Sequence, residues 1–175
     1  MNTSLKTGWY VLYVRSHHEK KVETLLSENG LESFVPLVKT IREWSDRKKV
    51  IMKPLFPSYV FAKIQSRSDF HKAMDINGSC SYIRFGKEYA IVSDEEIKRI
   101  KFLVNTEDVS DIESNSEIVK EGEVKTIRKG VLAGLECEIV KVNNKDKILV
   151  RINSIRQNIL ATLPEYYFSE FPLAI

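Results

Sequence analysis

Two rigid prolines bracket a run of aromatic and β-branched residues, Pro54-Leu55-Phe56-Pro57-Ser58-Tyr59-Val60-Phe61, and a second such run, Trp9-Tyr10-Val11-Leu12-Tyr13, lies near the start of the chain. Both read as short strands. Successive side chains of a strand point to opposite faces, so a small domain takes only one face of each into its own core. So many aromatics on two short strands leave some to be spent on a partner. The plainer alternative puts all of them in the core.

The 175 residues make one domain or two small ones, and 43% hydrophobic with 29% charged residues is the balance of a soluble globular protein, not of a disordered one. No run approaches the roughly 18 apolar residues that span a bilayer. The polar residues before Trp9 lead into no signal-peptide core. Cys80 and Cys137 are isolated and make no disulfide framework. No membrane contact and a reducing, cytoplasmic location are therefore expected.

The net charge of +3 is unevenly placed. Residues 1–104 hold 18 Lys/Arg against 12 Asp/Glu, a net +6; residues 105–123 hold one Lys against seven acids, a net −6; residues 124–175 hold eight basic against five acidic residues, a net +3. Two mildly basic modules flank an acidic connector, which points weakly to a polyanion at one or both modules.

Along the chain, residues 9–14 predict a first strand. Ser16 with Glu19 forms a capping box ahead of Val22, Leu25 and Leu26 at helical spacing, and Asn29-Gly30 supplies a left-handed stop, so a helix is expected over 17–28. Strands follow at 33–41 and 55–64, around a polar excursion at 42–49. A short helix is expected at 69–74, two short strands at 82–85 and 88–92, and a helix after a second capping box, Ser93 with Glu96. The first domain, 1–104, is thus α+β, with helices packed on an antiparallel sheet. Residues 105–120 read as an acidic flexible linker. From 121 to 175 five β-rich runs (124–127, 135–142, 147–152, 159–163 and 166–171) predict a small all-β barrel.

These residues resemble the NusG-like transcription elongation factors. Trp9-Tyr10-Val11-Leu12-Tyr13, the helix after it, Pro36-Leu37-Val38, the Pro54 to Phe61 run and Ile83-Arg84-Phe85-Gly86 are similar to the family's N-terminal domain. Gly130-Val131-Leu132-Ala133-Gly134-Leu135 and the β-rich run after it are similar to a KOW motif in an SH3-like barrel. The stretch Trp44-Ser45-Asp46-Arg47-Lys48-Lys49 resembles specialised antiterminators of capsular-polysaccharide loci in Bacteroides-like bacteria, the UpxY type.

The resemblance implies an apolar patch laid on the clamp helices of the largest RNA polymerase subunit, carried here by Val11, Tyr13, Tyr59, Phe61 and Phe85. Strand geometry adds an independent argument: Val11 shares a face with Tyr13, and Tyr59 with Phe61, so in-register pairing joins the four into one patch. The alternative makes that face the core and leaves Tyr10, Leu12 and Val60 outside. The resemblance also implies contact of Arg15, His18, Lys20, Lys21, Arg42, Arg47, Lys48 and Lys49 with non-template DNA or nascent RNA, with Trp44 or His17 stacking on a base. A solvated charged surface is the competing account. Asp69-Phe70-His71 stands where some relatives bridge to the other large polymerase subunit, without the His-Thr-Thr pattern.

In the KOW module Cys137 replaces a glycine, and Asn153-Ser154-Ile155-Arg156 lacks the Phe-Gly of the housekeeping factor's partner loop. Binding of Rho or of a small-subunit ribosomal protein there does not carry over directly. Tyr166, Tyr167 and Phe168 are expected in the barrel core.

Catalysis finds no support: Gly-x-Ser-x-Gly, a phosphate-cradling loop and Cys-x-x-Cys are all absent from the sequence. Adjacent helix residues such as His17-His18-Glu19 diverge too far for a metal site. No enzyme, cofactor or metal is expected, and the chain is read as a monomer. The sequence thus points to a specialised elongation and antitermination factor on a long operon. A housekeeping factor coupling polymerase to Rho or the ribosome, and an RNA- or ribosome-binding KOW protein, are the alternatives.

Overall fold

In the computed structural model, residues 5–43, 47–116, 122–130, 133–142 and 145–169 are described, with backbone only at 42 and 145. They fall into two units, 1–94 and 95–175.

The first unit is organised around β1 (Gly8–Val14). The other elements, in chain order, are α1 (Glu19–Glu28), β2 (Ser33–Phe34), β3 (Leu37–Glu43), β4 (Lys48–Pro54), β5 (Tyr59–Ile64), α2 (Arg67–Asp75), β6 (Ser79–Tyr82), β7 (Arg84–Phe85), β8 (Glu88–Tyr89) and β9 (Ile91–Val92). The main sheet runs β2-β5-β1-β6, and β9 also pairs with β1. β1 pairs antiparallel with each of β5, β6 and β9. Tyr10, Leu12, Val14, Val60, Ala62 and Ile64 form one core cluster with Val22 and Leu26 of α1 and Ala73 of α2. The alternation of β1 and β5 therefore sends these side chains to the helix side. Tyr10 meets Phe70 and Tyr82 edge-on at 5.7 and 5.5 Å, and Phe70 stacks on Tyr82 at 4.2 Å. Phe70 is thus a packing residue of the first unit.

The segment expected as a polar excursion is strand at both ends, residues 42–43 and 48–49, and its residues 44–46 lie outside the described part. β3 and β4 pair over their full length, from Leu37 opposite Pro54 to Glu43 opposite Lys48, as a separate two-stranded ribbon. The expected strand at 33–41 is divided at Val35-Pro36 because proline offers no N–H to a ladder. The strand expected at 55–64 begins only at Tyr59, since residues 55–58 form a turn.

α3 (Asp94–Asn105) lies in the second unit from Glu95 onward. The division falls at Asp94 and not at 104, because α3 is tied to the later strands. Phe102 meets Tyr167 edge-on at 6.1 Å, and the Glu96 carboxylate accepts hydrogen bonds from the Ser154 hydroxyl and, at 3.3 Å, from its backbone N–H.

The expected linker contains β10 (Ser110–Asn115), so it is not a flexible tether throughout. With β11 (Glu123–Thr126), β12 (Glu136–Val142), β13 (Lys145–Ile152) and β14 (Gln157–Thr162) it makes a five-stranded antiparallel sheet ordered β10-β14-β13-β12-β11. A short 3-10 helix, Asn153–Ile155, links β13 to β14. The fifth strand expected at 166–171 is instead a 3-10 turn over Glu165–Tyr167, closed by Tyr167 N–H donating to the Pro164 carbonyl at 3.1 Å. Residues from 170 on lie outside the described part. Tyr167 is buried, as expected of a core residue, whereas Tyr166 and Phe168 are half-buried.

Candidate functional site

Val11 lies directly opposite Phe61, and Tyr13 directly opposite Tyr59. The four positions share the face turned away from α1 and α2, and Tyr10, Leu12 and Val60 lie in the core on the other side. The alternative fails in leaving Tyr10, Leu12 and Val60 outside, but it holds in part for the opposite face, where Val11 and Phe61 are buried as well.

The four differ sharply in exposure, however. Val11 and Phe61 are each 0% exposed, Tyr59 is half-buried and Tyr13 is 45% exposed. Phe61 is covered by the rings of Phe34 and Phe56, at 6.1 and 6.0 Å. The expected patch is therefore a buried base, Val11 and Phe61, beneath one projecting ring, Tyr13. Burial, and secondarily the nearness of Tyr13, raises the Tyr59 hydroxyl above the ordinary tyrosine range. Phe85 is half-buried on the β7–β8 hairpin, outside the main sheet, so register does not join it to the other four. Trp9, on the same face as Val11, donates Nε1–H to Asp94 Oδ1 at 3.0 Å, with Lys63 Nζ 5.6 Å from its ring.

The turn before Tyr59 has a distinctive support. Tyr59 N–H donates to the Phe56 carbonyl at 3.2 Å across Pro57 and Ser58, and Ser58 has φ +63°. Ser58 N–H donates to Glu19 Oε1 at 2.8 Å, and its carbonyl accepts from Val14 N–H at 2.8 Å. The capping box read at Ser16 and Glu19 is not made: α1 starts at Glu19, and its N-cap, His18, makes no side-chain cap. The spacing signal was real, but the carboxylate is turned inward to a distant turn that no local pattern reveals.

The basic residues form two groups. Arg15, Lys20 and Lys21 are exposed and His18 half-buried, where β1 leads into α1. On α1 the buried residues are Glu19, Val22 and Leu26, which leaves Lys20 and Lys21 on the outer side. Arg47, Lys48 and Lys49 are exposed on or beside the ribbon, and position 42 is directly opposite Lys49. Lys48 pairs with Glu43. Of Arg42 only the backbone is described, and Trp44, the proposed stacking residue, lies outside the described residues. His17 is exposed, with φ +62°. The ribbon also exposes Ile41, Val50 and Met52, which the sequence reading passed over. Ile41 is directly opposite Val50, so they share a face with Lys39 and Met52.

In the second unit Arg151 holds Glu138 with two hydrogen bonds, 2.7 and 2.9 Å, and this guanidinium keeps the carboxyl below its ordinary range. The pair edges a cavity of about 230 Å³ lined also by Arg99, Cys137, Leu149 and Asn153. Burial raises the Cys137 thiol to about 11. Among the described residues no cluster of three or more His, Cys, Asp or Glu side chains could hold a metal ion, and no helix is long and apolar enough to cross a membrane.

Of solved structures, one of Thermotoga maritima NusG, described by its domain interaction, is similar with 21% identity, a TM-score of 0.49, and coverage of 90% of this chain and 94% of that one. The MjSpt4:Spt5 complex in conformation B is similar at 12% identity and a TM-score of 0.34, covering 83% of this chain and 84% of that one. Both likenesses are distant. No curated protein sequence matches the chain. The family described as transcription termination factor nusG matches residues 7–101, which include the whole aromatic face and both basic groups. Since that match spans more than half of the 175 residues, the chain belongs to the NusG family of transcription factors.

Proposed function

We propose that the first unit binds RNA polymerase at the clamp helices of its largest subunit and holds the enzyme in a processive state. The observation that carries this is the pairing of Val11 with Phe61 and of Tyr13 with Tyr59 on the sheet face away from the helix-backed core. Tyr13 is the projecting anchor, and Val11, Tyr59 and Phe61 form the rigid base beneath it. Phe85, on its own hairpin, borders the contact. Large aromatics on a rigid base are the residue types that dominate binding interfaces. The family consists of non-enzymatic transcription factors, so the work is done by binding.

Arg15, His18, Lys20 and Lys21, with the ribbon positions Arg42, Arg47, Lys48 and Lys49, contact the phosphates of non-template DNA or nascent RNA. Like charges directly opposite on a ribbon disfavour each other. Positions 42 and 49 stand in that relation, which a bound phosphate would relieve. The second unit, residues 95–175, acts as an SH3-like KOW module. Its loop at Asn153–Ile155 is occupied within the unit: Ser154 is bound to Glu96 and Ile155 is buried. That favours the specialised reading over coupling to Rho or the ribosome through this loop. The role is antitermination in the cytoplasm on a long operon, with a capsular-polysaccharide locus as the case the sequence favours.

Binding of the full chain to core RNA polymerase and to an isolated clamp-helix fragment tests the proposal. Wild type is expected to bind both, and Tyr13→Ala to bind each about tenfold or more weakly. Wild-type protein that stays folded and binds neither would overturn the reading.

A further inference from the structure

We infer that Glu19 is the positioning residue of the aromatic face, fixing the turn that delivers Tyr59 opposite Tyr13. The inference rests on the polymerase-binding reading above and names a residue that does not touch the partner.

The argument begins with the backbone. In the turn Phe56-Pro57-Ser58-Tyr59, proline occupies the second position and Ser58 the third, with φ +63°. A turn with proline second and a positive φ third ordinarily takes glycine at that third position, because a Cβ is crowded there. Serine keeps this strained conformation only if the surroundings over-determine it. They do so from two sides. Val14 N–H, at the end of β1, donates to the Ser58 carbonyl at 2.8 Å, and Glu19 Oε1, on α1, accepts the Ser58 N–H at 2.8 Å.

Glu19 is 5% exposed, one of the few buried charged side chains among the described residues. A carboxylate is costly to bury unless its hydrogen bonds are specific. This one bonds the turn residue that immediately precedes Tyr59, while α1 is left without a side-chain N-cap. The buried acid therefore serves the turn, and the turn sets where β5 begins. Without the carboxylate, Ser58 is free to relax toward negative φ, and that relaxation rotates the Tyr59 side chain out of register with Tyr13.

Four full-length proteins test this: wild type, Glu19→Gln, Glu19→Ala and Glu19→Ala/Ser58→Gly. Folding is checked by circular dichroism, Ser58 amide hydrogen exchange by NMR, and affinity on the clamp-helix fragment. Glu19→Ala is expected to bind about fivefold to tenfold more weakly, the loss of one specific charge-assisted hydrogen bond. Glu19→Gln keeps an acceptor oxygen and is expected within about twofold of wild type. The double variant is expected to recover most of the affinity, since glycine adopts the positive φ unaided. A merely structural role for Glu19 would not be rescued at Ser58.

A folded Glu19→Ala that binds like wild type, or a double variant as weak as Glu19→Ala, overturns the inference. Should wild type itself not bind, the polymerase reading falls, and the Ser58 amide decides the positioning role separately. Faster exchange in Glu19→Ala with β1 protection intact sustains it; unchanged exchange removes it. If Glu19→Ala does not fold, Glu19→Asp, which is one methylene short of Ser58, takes its place in the same comparison.

Discussion

Phe61 lies directly opposite Val11 across the β1–β5 pair with neither side chain exposed, and one pleat further along Tyr13 and Tyr59 form the next pair on the same face. The face is graded from a buried end to an exposed one. Substitutions along it separate folding from binding.

Phe61→Ala is therefore a stability variant. Removing a fully buried ring packed against Phe34 and Phe56 is expected to cost about 3–5 kcal/mol. Tyr13→Ala removes a ring that is 45% exposed and is expected to cost under about 1 kcal/mol while abolishing most partner affinity. Chemical denaturation of both variants, beside the binding assay, checks the division. Equal destabilisation by the two would contradict it.

For the ribbon, Lys48→Ala/Lys49→Ala is expected to leave the melting temperature nearly unchanged, because both side chains are exposed. If the two lysines contact phosphates, the slope of log K against log salt for single-stranded DNA falls by about 1.4, roughly 0.7 per contact. An unchanged slope would remove these lysines from the contact.

The Glu138–Arg151 pair gives the second unit an acid-sensitive component. Arg151 lowers the Glu138 pKa on folding, so the stabilisation is complete above the ordinary carboxylate value and is lost as pH falls through the depressed folded value. The melting temperature of wild type should decline from about pH 4.5 downward more steeply than that of Glu138→Gln. At neutral pH, Arg151→Ala is expected to cost about 1 kcal/mol, modest because both side chains are partly solvated. Thermal melts across the acid range read both effects.

The two thiols should be kinetically distinct. Cys80 is exposed, whereas Cys137 is buried with its pKa raised to about 11. A thiol reagent near pH 8 is expected to modify Cys80 promptly and Cys137 only after denaturation, because the thiolate is the reacting species. Mass spectrometry of the native and denatured reactions distinguishes them. Equal rates in the native protein would place Cys137 in contact with solvent.

Much of the site was legible because its signals are local. Alternation in residues 9–14 and 59–64 fixes which side chains share a face, whatever the strands pair with. The apolar stripe of Val22 and Leu26 fixes the inner side of α1 and so leaves Lys20 and Lys21 outside. Most of β3 fell within the strand expected at 33–41, but β4 was hidden because Lys48–Pro54 is rich in lysine and has no aromatic residue. β10 was hidden too: Ser110–Asn115 is polar and acidic, and only its ladder with β14 makes it a strand.

By itself, then, the sequence determined the order of most elements, the two faces of β1 and β5, and the family, since periodicity and turn chemistry are written in neighbouring residues. Tertiary structure alone decided how much of the aromatic face stays exposed, where the chain divides, and what Glu19 and Glu96 do. Each of those depends on residues far apart in the chain. Phe34 covers Phe61, Glu96 reaches Ser154 and Glu19 reaches Ser58. A carboxylate three residues after a serine has the same local pattern whether it caps its own helix or crosses to another element, and only the folded chain brings the second donor within 3 Å of Glu19.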